Sequence, residues 1–373
     1  MKDLILQRSI SVQCWNVLGV IAKANKRPEL TLVLHRTREQ GQTSAKDVAE
    51  HLLFESDSRR VVAERLLDIA ENFKLLKHAT YGKGQYVLTE AGNKALETEQ
   101  IFVPECGAWT IWVSNDPLLG YPLLHAEPFK EPKALETFSG NGGRGKKDRK
   151  FASLPDMLRD LEGRDGSPPC GRGEALRIDK FKGNVEEADS DCTLKLVWTA
   201  GMPTMRLQGV LRGQPVNSVL DAPDLSSGLV WQWLLEAEGI WSCWDQARKA
   251  LLVGFDETND YERESLMRDL RISDPTLGQL GRFDALTIQD VPIRALTESD
   301  VRRWAEWRLK TRLSDYVTDA RFDAWTKEAL APFGSYEIPT PSRTELARDE
   351  WAGRGERPSP RAWHLMAAED WSL

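Results

Sequence analysis

TSAKDVAEHLLFESDSRRVVAERLLDIAENFKLLKHATYGKGQYVLTEAG, residues 43–92, is the stretch that decides how the N-terminal part of this chain folds. Ser44 with Asp47 makes a capping-box pattern, and Val48, Ala49, Leu52 and Leu53 recur behind it at helical spacing. Asp57 or Ser58 can cap a longer second helix in which Val61, Val62, Arg65, Leu66, Ile69 and Phe73 lie along one side. Lys74 to Ala79 reads as a strand, and Gln85 to Leu88 as its return. Between them Tyr81-Gly82-Lys83-Gly84 supplies glycines for a tight turn. Thr89 then caps a last helix, Glu90 to Glu97.

Upstream, Asp3 to Ala24 is largely apolar with mixed periodicity, so it is expected to begin as a short strand and end as a helix. Asn25-Lys26-Arg27-Pro28 breaks it, and a second apolar run, Leu30 to His35, leads to the polar loop at Glu39 to Gln42. Downstream, residues 101–137 alternate like a β-hairpin, with a break at Ser114-Asn115-Asp116-Pro117. Residues 138–175 include SGNGGRGKKDRK and GRDGSPPCGRGE and read as a flexible, exposed Gly/basic linker, with room for a short helix at Leu154 to Leu161.

Residues 176–338 form a mixed α/β region. Strand patterns fall at Leu176 to Phe181, Cys192 to Thr199, Met205 to Leu211 and Val216 to Leu220. Helices follow from Ser226 or Ser227 to Glu238 and from Ser242 to Leu252. Phe283 to Arg294 resembles a strand, and Thr297 with Asp300 opens a helix over Val301 to Tyr316. Arg321 to Phe333 is helical, and the Pro- and Arg-containing tail, 339–373, is expected to be partly extended. The fold class expected is therefore α+β.

The order helix, helix, two-stranded wing, helix resembles the winged helix-turn-helix superfamily. The residues that carry it are Thr43 to Ala49, Arg59 to Leu67, and most specifically Tyr86-Val87-Leu88-Thr89-Glu90-Ala91-Gly92, a strand ending in Leu-Thr-Glu-x-Gly before a helix. The likeness covers residues 1–100 as a domain. In DNA-binding members the second helix enters the major groove and the wing approaches the backbone. The resemblance thus implies double-stranded DNA as a partner, with Ser56, Ser58, Arg59 and Arg60 at the helix start, Lys83 on the wing tip and Lys46 against the backbone. Other winged helices are protein–protein modules, and Glu55, Asp57, Glu64, Asp68 and Glu71 on the same helix weaken a phosphate field.

The whole chain of 373 residues carries a net charge of −7, so a nucleic-acid contact has to come from a local basic face. Five scattered cysteines with no C-x-x-C pair argue for a reducing compartment and against zinc. No stretch reaches membrane-spanning length and the N-terminus lacks a signal-peptide pattern, so no membrane contact and a cytoplasmic location are expected. Most of the 14 tryptophans fall after residue 190, as a large aromatic core or as interface anchors.

No catalytic or metal-binding constellation emerges and no cofactor is expected. The five histidines have no nucleophile or metal-ligand spacing around them. Gly140 to Gly145 lacks the G-K-[ST] of a phosphate cradle, and Lys146, Lys147, Arg149 and Lys150 are a basic run of the solubilising kind. Asp189 and Asp191 ahead of Lys195 faintly resemble the acidic-acidic-lysine sites of restriction-type nucleases, with spacing wrong in detail. The expectation is a non-catalytic DNA-binding or scaffolding subunit of a cytoplasmic bacterial multiprotein system, protein partner subunits included. By analogy the context is phage defence or DNA processing. The alternatives are a nuclease with a dispersed carboxylate site, or a transcription regulator with a ligand-sensing C-terminal domain.

Overall fold

A computed structural model of the chain describes residues 4–54, 57–81, 84–129, 151–171, 173–334, 336–352 and 359–370. The fold is α+β. It divides into two compact units, Gln7–Trp198 with Met202–Asp224, and Leu225–Leu373 with Met1–Leu6 and Thr199–Gly201.

The chain opens with β1 (Ile5–Ser9), and in the first unit β2 (Gln13–Asn25) precedes α1 (Pro28–Gln40), β3 (Thr43–Ser44), α2 (Ala45–Leu52) and α3 (Asp57–Asn72). Then come β4 (Leu76–His78), β5 (Gln85–Leu88) and α4 (Glu90–Thr98). The helix expected at the end of the opening apolar segment is instead β2. The reason is that β2 lies between β6 (Ile101–Val113) and β10 (Leu176–Ala188), and is buried along nearly its whole length. A strand covered on both faces loses the period of two and leaves periodicity uninformative. Pro28, read as a breaker, stands in the first turn of α1, where its missing N–H costs nothing.

Residues 30–101 close a core of their own. Leu30, Val33 and Leu34 from α1, Val48 from α2, Ala63, Leu67 and Ala70 from α3, and Leu96 from α4 pack together over the three-stranded sheet β3-β5-β4. Here α3 departs from the expected face. Val61 and Val62 are half-exposed, whereas the small Ala63 and Ala70 with Leu67 point inward, letting the helices approach closely.

β6 is more than one arm of a hairpin. It pairs with β7 (Leu123–Pro128) on one side and along its full length with β2 on the other. The stretch read as a linker is likewise corrected over its described part. β8 (Phe151–Ala152), α5 (Asp156–Arg159) and β9 (Asp165–Gly166) lie beside β10, and Leu158 and Leu161 are fully buried against Trp15, Ile111 and Ile178. Glycine-rich flanks obscure two apolar residues that a short helix plants in the core. The Ser139 to Lys150 segment lies outside the described residues. β10 to β13, namely β11 (Cys192–Thr199), β12 (Thr204–Leu211) and β13 (Gln214–Asp221), belong to this first unit, so the region read as 176–338 is divided.

The second unit contains α6 (Ser227–Ala237), β14 (Trp244–Asp245), β15 (Ala250–Val253), α7 (Asp260–Ser265), β16 (Met267–Ile272) and β17 (Leu286–Ala295). The helix expected from Ser242 is a short 3-10 turn followed by β14 and β15, the latter parallel to β17. α8 (Glu298–Arg312) opens on the capping box of Thr297 and Asp300, and α9 (Asp319–Leu330) on Thr318. Over its described residues the tail is mostly helical and not extended. It forms α10 (Arg343–Ala352) and α11 (Pro360–Asp370), whose Leu346, Ala347 and Leu365 complete a core with Leu309, Leu313 and Phe322. Trp198 and Trp304 are fully buried, while Trp351 and Trp363 meet edge to face at 5.9 Å and stay half-exposed.

Candidate interaction surface on the N-terminal module

The start of α2 is held by a compact polar network. Ser44 Oγ accepts the Asp47 N–H at 3.2 Å, and Arg36 of α1 donates twice to the Asp47 carboxylate, at 3.0 and 2.8 Å. Thr43 Oγ1 donates to the same carboxylate at 2.8 Å. The Arg36 hydrogen bonds hold the Asp47 carboxyl below the usual carboxylate range, against the opposing pull of its partial burial. Asp47, read as half of a capping box, therefore spends its side chain on tying α1 to α2.

The Leu-Thr-Glu-x-Gly signature is a packing device. Thr89 Oγ1 accepts the Gly92 N–H at 3.0 Å and donates back to the carbonyls of Lys74 and Leu75, 2.6 and 3.0 Å away. Its backbone N–H reaches Leu75 O at 3.0 Å. The first turn of α4 is thereby pressed onto the exit of α3.

The residues singled out for DNA contact are placed as follows. Arg59 turns back from the first turn of α3, and its Nη1 donates to the carbonyls of Leu53 and of Phe54, the latter at 2.7 Å. It thus satisfies carbonyls at the C-terminal end of α2, where a cation is favoured by the helix dipole. Arg60 Nε is 3.6 Å from Glu64, and Lys46 Nζ 3.5 Å from Glu50, both one helical turn away. Ser58 lies in the first turn of α3, whereas Ser56 and Lys83 fall outside the described residues.

Near its start α3 exposes two valines among its charged residues, which sequence reasoning missed. Val61 and Val62 are 51% and 47% exposed, at helical spacing with Ser58 and Arg65. Phe54 precedes the helix at positive φ and is 82% exposed, and Tyr81, on the turn after β4, is 89% exposed. The signal was available, because Val61 and Val62 stand beside Ala63, and only one side of the helix can face the core. Towards the end of α3 the field is acidic. Burial first, and then the carboxylates of Asp68, Glu71 and Glu64, raise the Tyr86 phenol above its ordinary value. Over Arg27 to Gln100 acidic residues slightly outnumber basic ones.

Elsewhere, Asp189 and Asp191 border the turn between β10 and β11, and Lys195 lies on β11, all three exposed. Among the described residues no group of three or more His, Cys, Asp or Glu is arranged to hold a metal ion, and no helix is long and apolar enough to cross a membrane. The thiols of Cys14 and Cys170 are pushed up to about 12 and that of Cys192 to about 11, chiefly by burial. Such thiols are poor nucleophiles. In comparisons with known proteins, the chain matches no family model, no curated protein and no solved structure.

Proposed function

We propose that residues 27–101 form a winged helix whose outward α3 face docks a protein, and that the chain is a scaffolding subunit of a cytoplasmic multiprotein assembly. The observation that carries this reading is the pair Val61 and Val62, both exposed near the start of the helix that would otherwise meet base edges. Burying what remains of both side chains at ~25 cal/mol per Å² stabilises a complex by about 2–3 kcal/mol. Phe54 and Tyr81 are further large apolar side chains that the same module exposes.

Magnitudes separate this from a DNA-reading role. The Arg60–Glu64 and Lys46–Glu50 pairs are exposed and worth under about 1 kcal/mol, so either cation can turn to a phosphate. Arg59 differs, since freeing it strips two carbonyls of their donor. What remains is a near-neutral module with an acidic helix end, unlike the clustered positive charge that drives counterion release. The partner expected has an apolar patch ringed by both signs of charge, matching Arg60, Arg65, Glu64 and Asp68.

The test uses the full chain. A partner that co-purifies is identified, purified, and titrated against Val61→Asp and Val62→Asp. The expected loss is more than about tenfold in affinity, from desolvating a carboxylate at an apolar contact. Unaltered partner affinity together with tight, salt-sensitive duplex binding would return α3 to the DNA-reading role.

A further inference from the structure

The helical part of the second unit contains a cleft that its own packing leaves open. α8, α9, α10 and the strap Ile338 to Pro341 enclose a volume of about 260 Å³. Ala305, Leu309, Leu330, Ile338, Pro341 and Leu346 make its walls apolar. That volume is below the usual range for drug-sized ligands, so it suits a molecule of small-metabolite size.

Besides Glu306, which pairs with Lys310, two charges stand at the lining, Arg302 from α8 and Asp349 from α10. Both are exposed, and among the described residues neither joins an ion pair. Several of their neighbours on the same helices are paired. Arg303 meets Asp256 at 2.5 Å, and Lys310 bridges Glu306 and Glu350 at 2.6 and 3.1 Å. Of the unpaired charges on α8 and α10, Arg302 and Asp349 line the cleft.

A third group is out of the ordinary. Thr31, Thr37, Thr98 and Thr311 each donate Oγ1 to the carbonyl four residues earlier in their helices. Thr326, which lines the cleft from α9 and is buried, makes no such bond, and its Oγ1 has no hydrogen-bond partner. An orphaned buried hydroxyl is a standing cost that a ligand reaching it removes.

The sign of the surroundings selects the ligand. Beyond Arg302 and Ile338 lies a second hollow of about 330 Å³ that also exposes Glu298 and Glu337. A simple anion meets these carboxylates with Glu306 and Asp349, and a simple cation meets Arg302. We infer that the cleft binds a small zwitterion with an apolar side chain, the chemistry of a hydrophobic α-amino acid. Arg302 and the Thr326 hydroxyl take its carboxylate, Asp349 its ammonium, and the apolar walls its side chain. The site stands independently of the docking surface on α3.

Calorimetric titration of the full-length protein at neutral pH tests this with three probes: L-leucine, L-leucinamide, which lacks the carboxylate, and 4-methylpentanoate, which lacks the amine. L-leucine is expected to bind saturably and tightest. Arg302→Gln should weaken L-leucine by about fivefold or more, the size of effect one partly exposed charge contact carries, and should not weaken the cationic L-leucinamide, which loses a like charge. Asp349→Asn should weaken L-leucine by a similar factor and should not weaken the anionic 4-methylpentanoate, which loses a like charge. Both residues are exposed and unpaired, so both variants fold, which circular dichroism checks. No saturable L-leucine binding up to about 10 mM, affinity indifferent to both substitutions, or tighter binding of either single-charge analogue would overturn the assignment.

Discussion

The Cβ of any residue other than glycine at position 92 would lie 2.2 Å from the carbonyl oxygen of Leu75. That oxygen also accepts the Thr89 N–H, so it cannot retreat without breaking the bond that starts α4. Gly92→Ala is therefore expected to destabilise the protein by about 1–3 kcal/mol, the usual cost of overpacking. Urea denaturation followed by far-UV circular dichroism reads it. A midpoint equal to the parent's would mean that α4 slides freely over the α3 exit.

Asp47 links pH to stability. Its carboxyl is held below the usual range in the folded state, first by Arg36, so ionised Asp47 stabilises the fold above the unfolded-state pKa. That contribution fades as pH falls through the lowered folded value. Asp47→Asn should cost about 1.5–3 kcal/mol at neutral pH, the worth of charged hydrogen bonds, and flatten the acid limb of the stability curve. Melting temperatures from pH 7 down to pH 3 check both the size and the sign.

The module should fold alone when cut at the right place. A fragment spanning residues 26–101 keeps its whole core, whereas one spanning 1–100 carries β2 without β6 and β10. Dispersed amide resonances are expected for the shorter fragment, and aggregation through the bare strand for the longer one. A molten spectrum from 26–101 would remove the independent module.

Leu158→Ala separates a linker from a core element. With the side chain fully buried, about 2–5 kcal/mol is expected. An exposed linker would tolerate the change within about 0.5 kcal/mol.

What the chain discloses about itself depends on whether a signal is local. Ser44, Thr89, Ser226 and Thr297 each accept a backbone N–H three residues on, so those helix starts were legible residue by residue. β2 was not, because its identity is set by two partner strands remote in sequence. The turn at Trp241 to Asp245 and the tail helices were hidden for the same reason, since tertiary packing at Trp231, Leu309 and Phe322 decides them. At the candidate surface the charges were legible but their commitments were not. Arg59 reads as a free cation until Leu53 and Phe54 are brought beneath it. The apolar face at Val61 and Val62 was assigned to the core because one amphipathic helix offers two plausible stripes, and the small Ala63 and Ala70 won the inner one.

Photo-crosslinking from position 62 of the full-length protein inside cells tests the central claim most directly, because Val62 lies on the disputed face of α3 and its side chain is half-exposed. A discrete protein adduct that survives nuclease treatment and vanishes with Val61→Asp is expected. Adducts that carry nucleic acid and collapse on nuclease treatment would contradict it and make α3 a DNA-reading helix.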